Sequence, residues 1–87
     1  MKDNTTNKNI IVYSTPSCPY CVMAKTFLRE RDISFEDVDV SKDRARAMEM
    51  VEKSGQMGVP VLDIGGEVIV GFQPNVIAKL LNLEGTN

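Results

Sequence analysis

The sequence of 87 residues contains no histidine, no tryptophan and only two cysteines. Without histidine, a protease-type Cys-His site and a histidine general base are both excluded. A zinc site within one chain usually takes four ligands from Cys and His, so two cysteines alone argue against one, and we predict no metal ligands. No apolar run approaches the roughly 20 residues that cross a bilayer, so we predict no membrane partner.

The composition otherwise describes one small globular domain. Hydrophobic residues make up 43% and charged residues 25% of the chain, which is the balance of a folded protein rather than a disordered one. The net charge of −2 gives no basic stripe, so nucleic acid is not an expected partner. We expect a flexible tail over 1–9, a single domain over 10–83 and a frayed end over 84–87. Because the polar tail lacks an apolar signal region, we expect a cytoplasmic location. Separately, we predict that the protein is a monomer.

Both cysteines belong to one short motif, Cys18-Pro19-Tyr20-Cys21, which follows an apolar run over 10–13. The spacing puts both thiols on one helical turn, close enough to cycle between dithiol and disulfide without large backbone movement. In a reducing compartment such pairs are catalytic rather than structural. A structural disulfide is the alternative, but it would close a very short loop and would therefore stabilise the fold weakly.

The motif also stands at the predicted start of a helix, with Cys18 as N-cap and Pro19 at the first helical position, where proline is favoured. Unpaired N–H groups and the positive helix end stabilise a thiolate at Cys18, whereas Cys21 lies one turn further in. We therefore interpret Cys18 as the nucleophile and Cys21 as the resolving thiol. Pro19 and Lys25 are the candidates for activating a thiol, although a lysine solvated on the helix face is the simpler interpretation of Lys25.

The apolar periodicity and the turn residues predict the order β-α-β-α-β-β-α. This is an α/β fold with a four-stranded mixed sheet flanked by three helices. The predicted strands cover 10–14, 35–40, 61–64 and 67–70, and the predicted helices cover 19–31, 42–53 and 74–81. The first two strands should be parallel, which places Cys18 at the carboxyl end of a central strand. The second strand alternates apolar and acidic residues, as an edge strand does.

Local signals add detail to the elements. Ala24, Phe27 and Leu28 give the first helix one apolar face. Gly65-Gly66 is typical of a two-residue hairpin turn.

The second helix is expected to begin after Ser41 as N-cap and to stop at Gly55. Its inward face is expected to carry Ala45, Met48 and Val51, with the methionine filling the core.

A second motif, Gly58-Val59-Pro60, stands directly before the third strand. The simpler interpretation is a proline that opens a strand, where proline is tolerated. The functional interpretation is a cis bond between Val59 and Pro60, which turns the Val59 N–H and C=O outward to pair with an extended substrate. The position of this motif after Cys-x-x-Cys and before a hairpin favours the functional interpretation.

Together these motifs resemble the glutaredoxin family over roughly 9–83. The absence of Trp before the first cysteine distinguishes the sequence from thioredoxin proper. The resemblance implies a thioredoxin fold and a thiol-disulfide oxidoreductase, with Cys18 and Cys21 as the redox pair and Pro60 as the cis proline. It also implies contacts to substrate or glutathione from residues around the tetrad, which are Tyr20, Gln56, Val59, Pro60, Gly71, Phe72 and Gln73.

The sequence departs from glutathione-using members at two places. Gly58 stands where many glutaredoxins have Thr, and Phe72 stands where such members carry a second glycine. Pro74 and Asn75 occupy positions where acidic residues would hold the glutamyl amine of glutathione. The Gly-Phe-x-Pro pattern over 71–74 instead resembles the NrdH-type redoxins, which take electrons from thioredoxin reductase and pass them to ribonucleotide reductase.

The resemblance therefore implies a dithiol reductase of protein or small-molecule disulfides, with no tightly bound cofactor. Its expected partners are disulfide substrates, including glutathione mixed disulfides, and an electron donor. That donor is either thioredoxin reductase or glutathione, which is a candidate co-substrate. Three alternatives stay open. Within the enzyme class, the protein is an NrdH-type electron donor to ribonucleotide reductase. Outside it, the protein is a glutathione-dependent dimer that binds an iron–sulfur cluster, as some glutaredoxins do, or a redox-inert interaction module.

Overall fold

The computed structural model describes residues 9–81 and contains the predicted elements in the predicted order. The strands are β1 (Ile10–Ser14), β2 (Glu36–Asp39), β3 (Val61–Ile64) and β4 (Glu67–Val70), and the helices are α1 (Pro19–Glu30), α2 (Arg44–Ser54) and α3 (Pro74–Leu80). Apart from Asn9, the predicted tail lies outside the described residues, and so does the predicted frayed end. The Asn9 carbonyl accepts a hydrogen bond from Gly65 N–H at 2.8 Å, which ties this last residue of the predicted tail to the hairpin turn.

The strands form one mixed sheet in the order β2-β1-β3-β4. β1 pairs with β2 in parallel and with β3 antiparallel, and β3 pairs antiparallel with β4, so the predicted parallel pair and hairpin are confirmed. β2 is an edge strand, as predicted, and only its Val38 is buried. Since β1 is central, its carboxyl end brings the turn over 15–18 to the middle of one edge of the sheet.

Each face of the sheet carries its own hydrophobic core. On the side of α1 and α3, the buried residues include Val12 and Leu28. On the side of α2, they are built around Tyr13 and Met50. Neighbouring residues of β1 thus enter opposite cores, which is the pattern of a central strand covered on both faces.

The hairpin between β3 and β4 brings two loops together. Gly65 and Gly66 both have positive φ, 59° and 99°, as the predicted two-residue turn requires. The two strands are paired to their outer ends. There the Gly71 N–H donates to the Pro60 carbonyl at 2.8 Å, so the loop after β4 lies beside the loop before β3.

The start of α2 differs from the prediction. Asp43, not Ser41, is the N-cap: its carboxylate accepts a hydrogen bond from Arg46 N–H at 3.2 Å. Ser41 instead donates its own N–H to the Asp39 carboxylate at 2.9 Å, in the turn that follows β2. Asp and Ser are equally good N-caps, so propensity alone does not choose between them. The predicted stop at Gly55 is confirmed, since Gly55 adopts a left-handed conformation with φ 77°.

The predicted inward face of α2 is wrong. Met48 is 59% exposed, whereas Met50 is 2% exposed and lies in the core. Ala45 is also exposed, and the half-buried Val51 beside Met50 is the one correct member of the predicted stripe. Compared with the predicted orientation, α2 is rotated so that the side carrying Glu49 faces the sheet. The Glu49 carboxylate accepts a hydrogen bond from the hydroxyl of the buried Tyr13 in β1.

The remaining boundaries shift by one or two residues. α1 ends at Glu30, α3 ends at Leu80, and β2 is shorter at both ends than the predicted 35–40. Such shifts are normal where helix ends fray and edge strands lose pairing. None of the helices described between residues 9 and 81 is long and apolar enough to cross a membrane.

Candidate active site

Cys18 caps the amino end of α1, as predicted. Its backbone is extended, with φ −94° and ψ 113°, and Pro19 occupies the first position of the helix. The Cys18 sulfur accepts a hydrogen bond from Cys21 N–H at 3.2 Å. A side-chain acceptor here satisfies one of the N–H groups that a helix leaves unpaired at its amino end. The sulfur is therefore held in one orientation at the edge of the sheet.

Cys21 lies one turn inside α1 and is completely buried, with 0% of its surface exposed. Burial, and after it the hydrogen bond with Cys18, raises the pKa of the Cys21 thiol to about 11, against an ordinary value near 8.5. Both cysteines are free thiols. Cys21 is thus protonated at neutral pH, and the half-buried Cys18 is the more accessible sulfur.

The loop before β3 faces the Cys18 sulfur. The Val59-Pro60 peptide bond is cis, as predicted. The Cys18 S–H points to the Val59 carbonyl, with 3.9 Å between sulfur and oxygen. The Val59 N–H donates to no acceptor among residues 9–81. An extended segment attached to the Cys18 sulfur would therefore find a backbone donor next to it.

The loop over 71–73 forms the third side of the site, because Gly71 is bonded to the loop before β3. Phe72 is half-buried and packs edge-on against Phe27, with 5.9 Å between the ring centroids. The Gln73 amide turns back and donates to the Val70 carbonyl at 2.8 Å. Of the predicted contact residues in this loop, Phe72 thus takes part in core packing and Gln73 bonds the end of β4.

Two further predicted contact residues behave differently from each other. Tyr20 is 61% exposed on the first turn of α1, so its ring is free to contact a ligand. Gln56 is half-buried, and its side-chain N–H donates to the Gly58 carbonyl at 3.0 Å. The amide of Gln56 is therefore engaged by its own loop.

A shallow groove of about 310 Å³ continues from the tetrad along α1. It begins with Val22, the residue after Cys21, and most of its surface is apolar. At its far end the Arg31 guanidinium lies 3.7 Å from the centroid of the Phe27 ring. The complete lining is Val22, Met23, Thr26, Phe27, Glu30, Arg31 and Phe72.

Lys25 is not the solvated lysine of the simpler interpretation. Its side chain is only 16% exposed, and its ammonium contacts an Asp37 carboxylate oxygen at 3.1 Å and the Ser14 hydroxyl at 3.2 Å. It lies one turn after Cys21 on the same helix, and its positive charge partly offsets the rise in the Cys21 pKa. Lys25 is thus an anchored charge near the buried thiol.

Sequence reasoning missed Ser14 and Asp37, which hold Lys25 in place. Ser14 ends β1 and is buried, and Asp37 lies on the adjacent edge strand. The sequence contained only a weak signal for them: Ser14 ends an otherwise apolar strand, and Asp37 lies on the solvent-facing side of the neighbouring strand β2. Between residues 9 and 81, no group of three or more His, Cys, Asp or Glu side chains is arranged to hold a metal ion.

Comparison with known proteins identifies the family. The family model described as Glutaredoxin matches residues 10–69. An uncharacterized glutaredoxin-like 8.6 kDa protein in the rubredoxin operon of Clostridium pasteurianum is 46% identical over 72 residues, which cover 83% of this chain and 96% of that protein.

Solved structures agree with this result. The crystal structure of the thioredoxin-like protein BC3987 aligns with a TM-score of 0.78 at 36% identity, covering 83% of this chain and 99% of that one. The NrdH-redoxin of Escherichia coli, a glutaredoxin-like protein, aligns with a TM-score of 0.72 at 28% identity, covering 83% and 93%. The fold is thioredoxin-like, and the chain belongs to the glutaredoxin family.

Proposed function

We propose that this protein is a dithiol reductase of disulfide bonds, which acts through Cys18 and Cys21 in the reducing environment of the cytoplasm. The observation that carries the proposal is a pair of unlike thiols on one helical turn. Cys18 caps α1 and accepts the Cys21 N–H, while Cys21 is buried and has a raised pKa. Family membership supports thiol-disulfide chemistry in general, and this geometry supports a specific course for it.

The reaction begins when the Cys18 thiolate attacks one sulfur of a substrate disulfide. A mixed disulfide forms between Cys18 and the substrate, and the departing substrate thiolate takes a proton from solvent. Cys21 then loses its proton, and its sulfur attacks the Cys18 sulfur, which releases the second substrate thiol. The substrate gains two electrons and two protons, and the protein is left with a disulfide between Cys18 and Cys21, which the electron donor reduces.

Substrate binding involves the three segments that meet at Cys18. The substrate chain next to the attacked sulfur pairs with the free Val59 N–H, beside Pro60 and Gly71. The exposed Tyr20 ring and the apolar groove along α1 provide surface for a protein substrate. Phe72 and Gln73 act indirectly, by fixing the loop that borders the site.

Lys25 assists the second step as a positioning residue. The Cys21 sulfur must become a thiolate inside the protein, where burial opposes charge. A positive charge that Asp37 and Ser14 hold one turn away lowers this barrier. Pro19 contributes by starting the helix at the residue after Cys18.

Thioredoxin reductase, or a similar flavoenzyme, is the better electron donor in this proposal. The first turn of α3 contains no acidic residue, so the amine of glutathione meets no carboxylate there. Asn75 can accept one hydrogen bond but carries no charge, and a charge-assisted bond is roughly twice as strong as a neutral one. Phe72 adds bulk where a glycine would permit close approach. The Escherichia coli NrdH-redoxin, to which this chain is similar, is described by a thioredoxin-like activity profile.

The test is NADPH oxidation by purified protein with a disulfide substrate. One reaction contains glutathione and glutathione reductase, and the other contains thioredoxin reductase. We expect several-fold faster turnover with thioredoxin reductase, and no turnover in either reaction with Cys18→Ser. Faster turnover with millimolar glutathione would overturn the assignment of the donor, and inactivity with both would overturn the assignment as a reductase.

The Asn75→Asp variant separates the two causes of weak glutathione use. If the missing charge is the main cause, the variant should gain several-fold in the glutathione reaction and remain unchanged with thioredoxin reductase, since losing charge assistance costs on the order of 1 kcal/mol. No gain would assign the effect to Phe72.

A further inference from the structure

Asp63 is a charged residue in a strand that is otherwise apolar. All four residues of β3 are buried, and Asp63 itself is 9% exposed. A carboxylate in such a place costs free energy unless it is paired. Both of its oxygens are engaged, one by the Lys53 ammonium at 2.6 Å and the other by the Gly66 N–H at 2.8 Å. The bond to Gly66 stays within the hairpin, whereas the bond to Lys53 connects β3 with α2.

Stability alone does not explain this ion pair. Apolar residues of similar volume often replace a buried ion pair with no loss of stability, or with a gain. The surroundings are suited to such residues, since Met50 and Val61 lie in the core on the same side of the sheet. What the charged pair adds is a fixed geometry. The Lys53 ammonium also donates to the Tyr13 hydroxyl at 2.8 Å, so it is held between two strands.

The pair joins the two ends of the loop that carries Val59 and Pro60. Lys53 is the next-to-last residue of α2 and Asp63 is the third residue of β3, so the loop over 55–60 runs between them. We call Lys53 and Asp63 the loop clamp. The clamp holds the end of α2 against the start of β3 and, through Tyr13, against β1.

The middle of this loop has no anchor in the core. None of the residues over 55–58 is buried, and Met57 is 80% exposed. Side-chain hydrogen bonds here are local: the Ser54 hydroxyl accepts from Gln56 N–H at 3.2 Å, and the Gln56 side chain donates to the Gly58 carbonyl. Local bonds shape the loop, but they do not fix where it lies relative to the sheet. That position depends on the ends of the loop, which the loop clamp holds.

We infer that Lys53 and Asp63 are positioning residues for the disulfide reaction, because they clamp the ends of the loop that places the Val59 backbone beside the Cys18 sulfur. The inference rests on the proposed function, since it concerns how a disulfide substrate meets Cys18. The loop clamp touches neither the substrate nor the reacting sulfurs. Without it, the Val59 N–H no longer lies in the productive position for an extended substrate attached to Cys18.

The test compares Lys53→Met with the double variant Lys53→Met/Asp63→Asn. The single variant leaves a buried carboxylate without its cation, which destabilises a protein. The double variant removes both charges, and the amide oxygen at residue 63 can still accept the Gly66 N–H. Urea unfolding first establishes conditions in which every protein is folded. Both variants lack the clamp, so both should show the same defect in the reaction.

Two rate constants of the reduced proteins separate positioning from reactivity. One is for attack on an extended peptide disulfide, and the other is for alkylation of Cys18 by iodoacetamide, which is too small to need the loop. We expect the peptide reaction to be slower on the order of ten-fold in both variants, because misplacing a binding group costs rate even far from the reacting atoms. The iodoacetamide reaction should keep its native rate constant.

Glu36→Gln is the matched control. It removes the ion pair with Arg46 at 2.8 Å, which ties the first turn of α2 to β2 and lies outside the loop clamp. Both rate constants should stay at their native values. A native peptide rate constant in the double variant would overturn the inference, since the pair would then be only structural. So would a parallel fall in the iodoacetamide reaction, or an equal defect in Glu36→Gln.

Hydrogen exchange measures the position of the loop without any substrate. The Gly71 N–H donates to the Pro60 carbonyl at 2.8 Å, so its exchange reports the end of the loop. In the double variant this proton should exchange several-fold faster. The Val40 N–H, which donates to the Ser14 carbonyl at 2.9 Å near the other edge of the sheet, should be unaffected.

Unchanged exchange at Gly71 in the double variant would overturn the inference regardless of any activity. Failure of the native protein to react with any disulfide would instead count against the proposed function. The exchange measurement would then still decide whether the loop clamp fixes the loop.

Discussion

Cys18 and Cys21 belong to the same helical turn, yet their surroundings give them different chemistry. Cys18 lies at the amino end of α1, partly open to solvent and next to the Val59 carbonyl. Cys21 is enclosed by the core, and its pKa is raised to about 11. A thiol acts as a nucleophile only after it loses its proton, so the order of the two steps follows from these environments.

This difference predicts the order of alkylation. With increasing pH, Cys18 should react with iodoacetamide before Cys21, because Cys21 is both inaccessible and protonated well above neutral pH. Mass spectrometry of peptides after timed labelling measures both sites at once. In activity assays, Cys18→Ser should abolish disulfide reduction. Cys21→Ser should retain attack and accumulate a mixed disulfide at Cys18.

Labelling of Cys21 first, or failure of Cys21→Ser to trap any substrate or glutathione adduct, would contradict the assigned roles. A matched control is the double variant Cys18→Ser/Cys21→Ser. It should neither label nor trap, which excludes reaction at other side chains.

The residues of the site differ in how far sequence alone could predict them. The positions of Cys18 and Pro19 depend on local helix-start signals, which a sequence contains in full. The cis bond at Val59-Pro60 was predicted from a motif and its context. The surroundings of Lys25 could not be predicted in this way, because its partners come from two different strands.

The start of α2 distinguishes between two N-cap candidates that look equivalent in the sequence. Ser41 and Asp43 are both favourable caps, and the helix begins after Asp43. We expect Asp43→Ala to lower the free energy of unfolding by about 1 kcal/mol, since it removes the acceptor for Arg46 N–H. For a domain of this size that corresponds to a fall in Tm of roughly 4–8 °C.

Ser41→Ala is the matched control for this prediction. Ser41 is exposed, and among residues 9–81 its hydroxyl bonds only Asp39 within the turn, so removing the hydroxyl should cost no more than about 0.5 kcal/mol. Urea unfolding of the two variants beside the native protein measures the difference. If Ser41→Ala were the more destabilising of the two, the observed start of α2 would be wrong.

Periodicity alone did not predict which face of α2 is buried. In α1 the apolar residues fall on a single face of the helix, and Ala24 and Leu28 are buried as predicted. In α2, Met48 and Met50 offer two competing phases, and both satisfy helical spacing. The choice depends on tertiary contacts: Lys53, on the same side as Glu49, donates to a Tyr13 hydroxyl 2.8 Å away. These partners lie 40 residues apart in the chain, so no local pattern reveals them.

In the whole molecule, the two faces of the sheet bury different polar groups: a lysine bonded to a tyrosine and an aspartate on one face, and the Cys21 thiol on the other. On the α2 side, the Lys53 ammonium donates to the Tyr13 hydroxyl at 2.8 Å and to the Asp63 carboxylate at 2.6 Å. One ammonium therefore links β1, α2 and β3. On the α1 side, the buried thiol of Cys21 lies within the helix that covers the other core. The stability of the reduced protein therefore depends on keeping that thiol neutral.

This dependence predicts how stability changes with pH. The folded-state pKa of Cys21 is raised to about 11, above the value of about 8.5 expected in the unfolded chain. A raised pKa contributes stability that is fully present below pH 8.5 and is lost as the pH rises toward 11. The reduced native protein should thus lose on the order of 3 kcal/mol through Cys21 across this range.

Cys21→Ala isolates this contribution, because it removes the titrating thiol and leaves Cys18 and Tyr13 in both proteins. Urea unfolding of the two proteins between pH 7.5 and pH 10.5, under a reductant that keeps thiols free, gives the difference in stability at each pH. We expect the advantage of the native protein over Cys21→Ala to shrink steadily as the pH rises. A difference that stays constant would mean that Cys21 ionises equally easily in the folded and unfolded chains. The difference between the two thiols, from which the assigned order of the two steps follows, would then be lost.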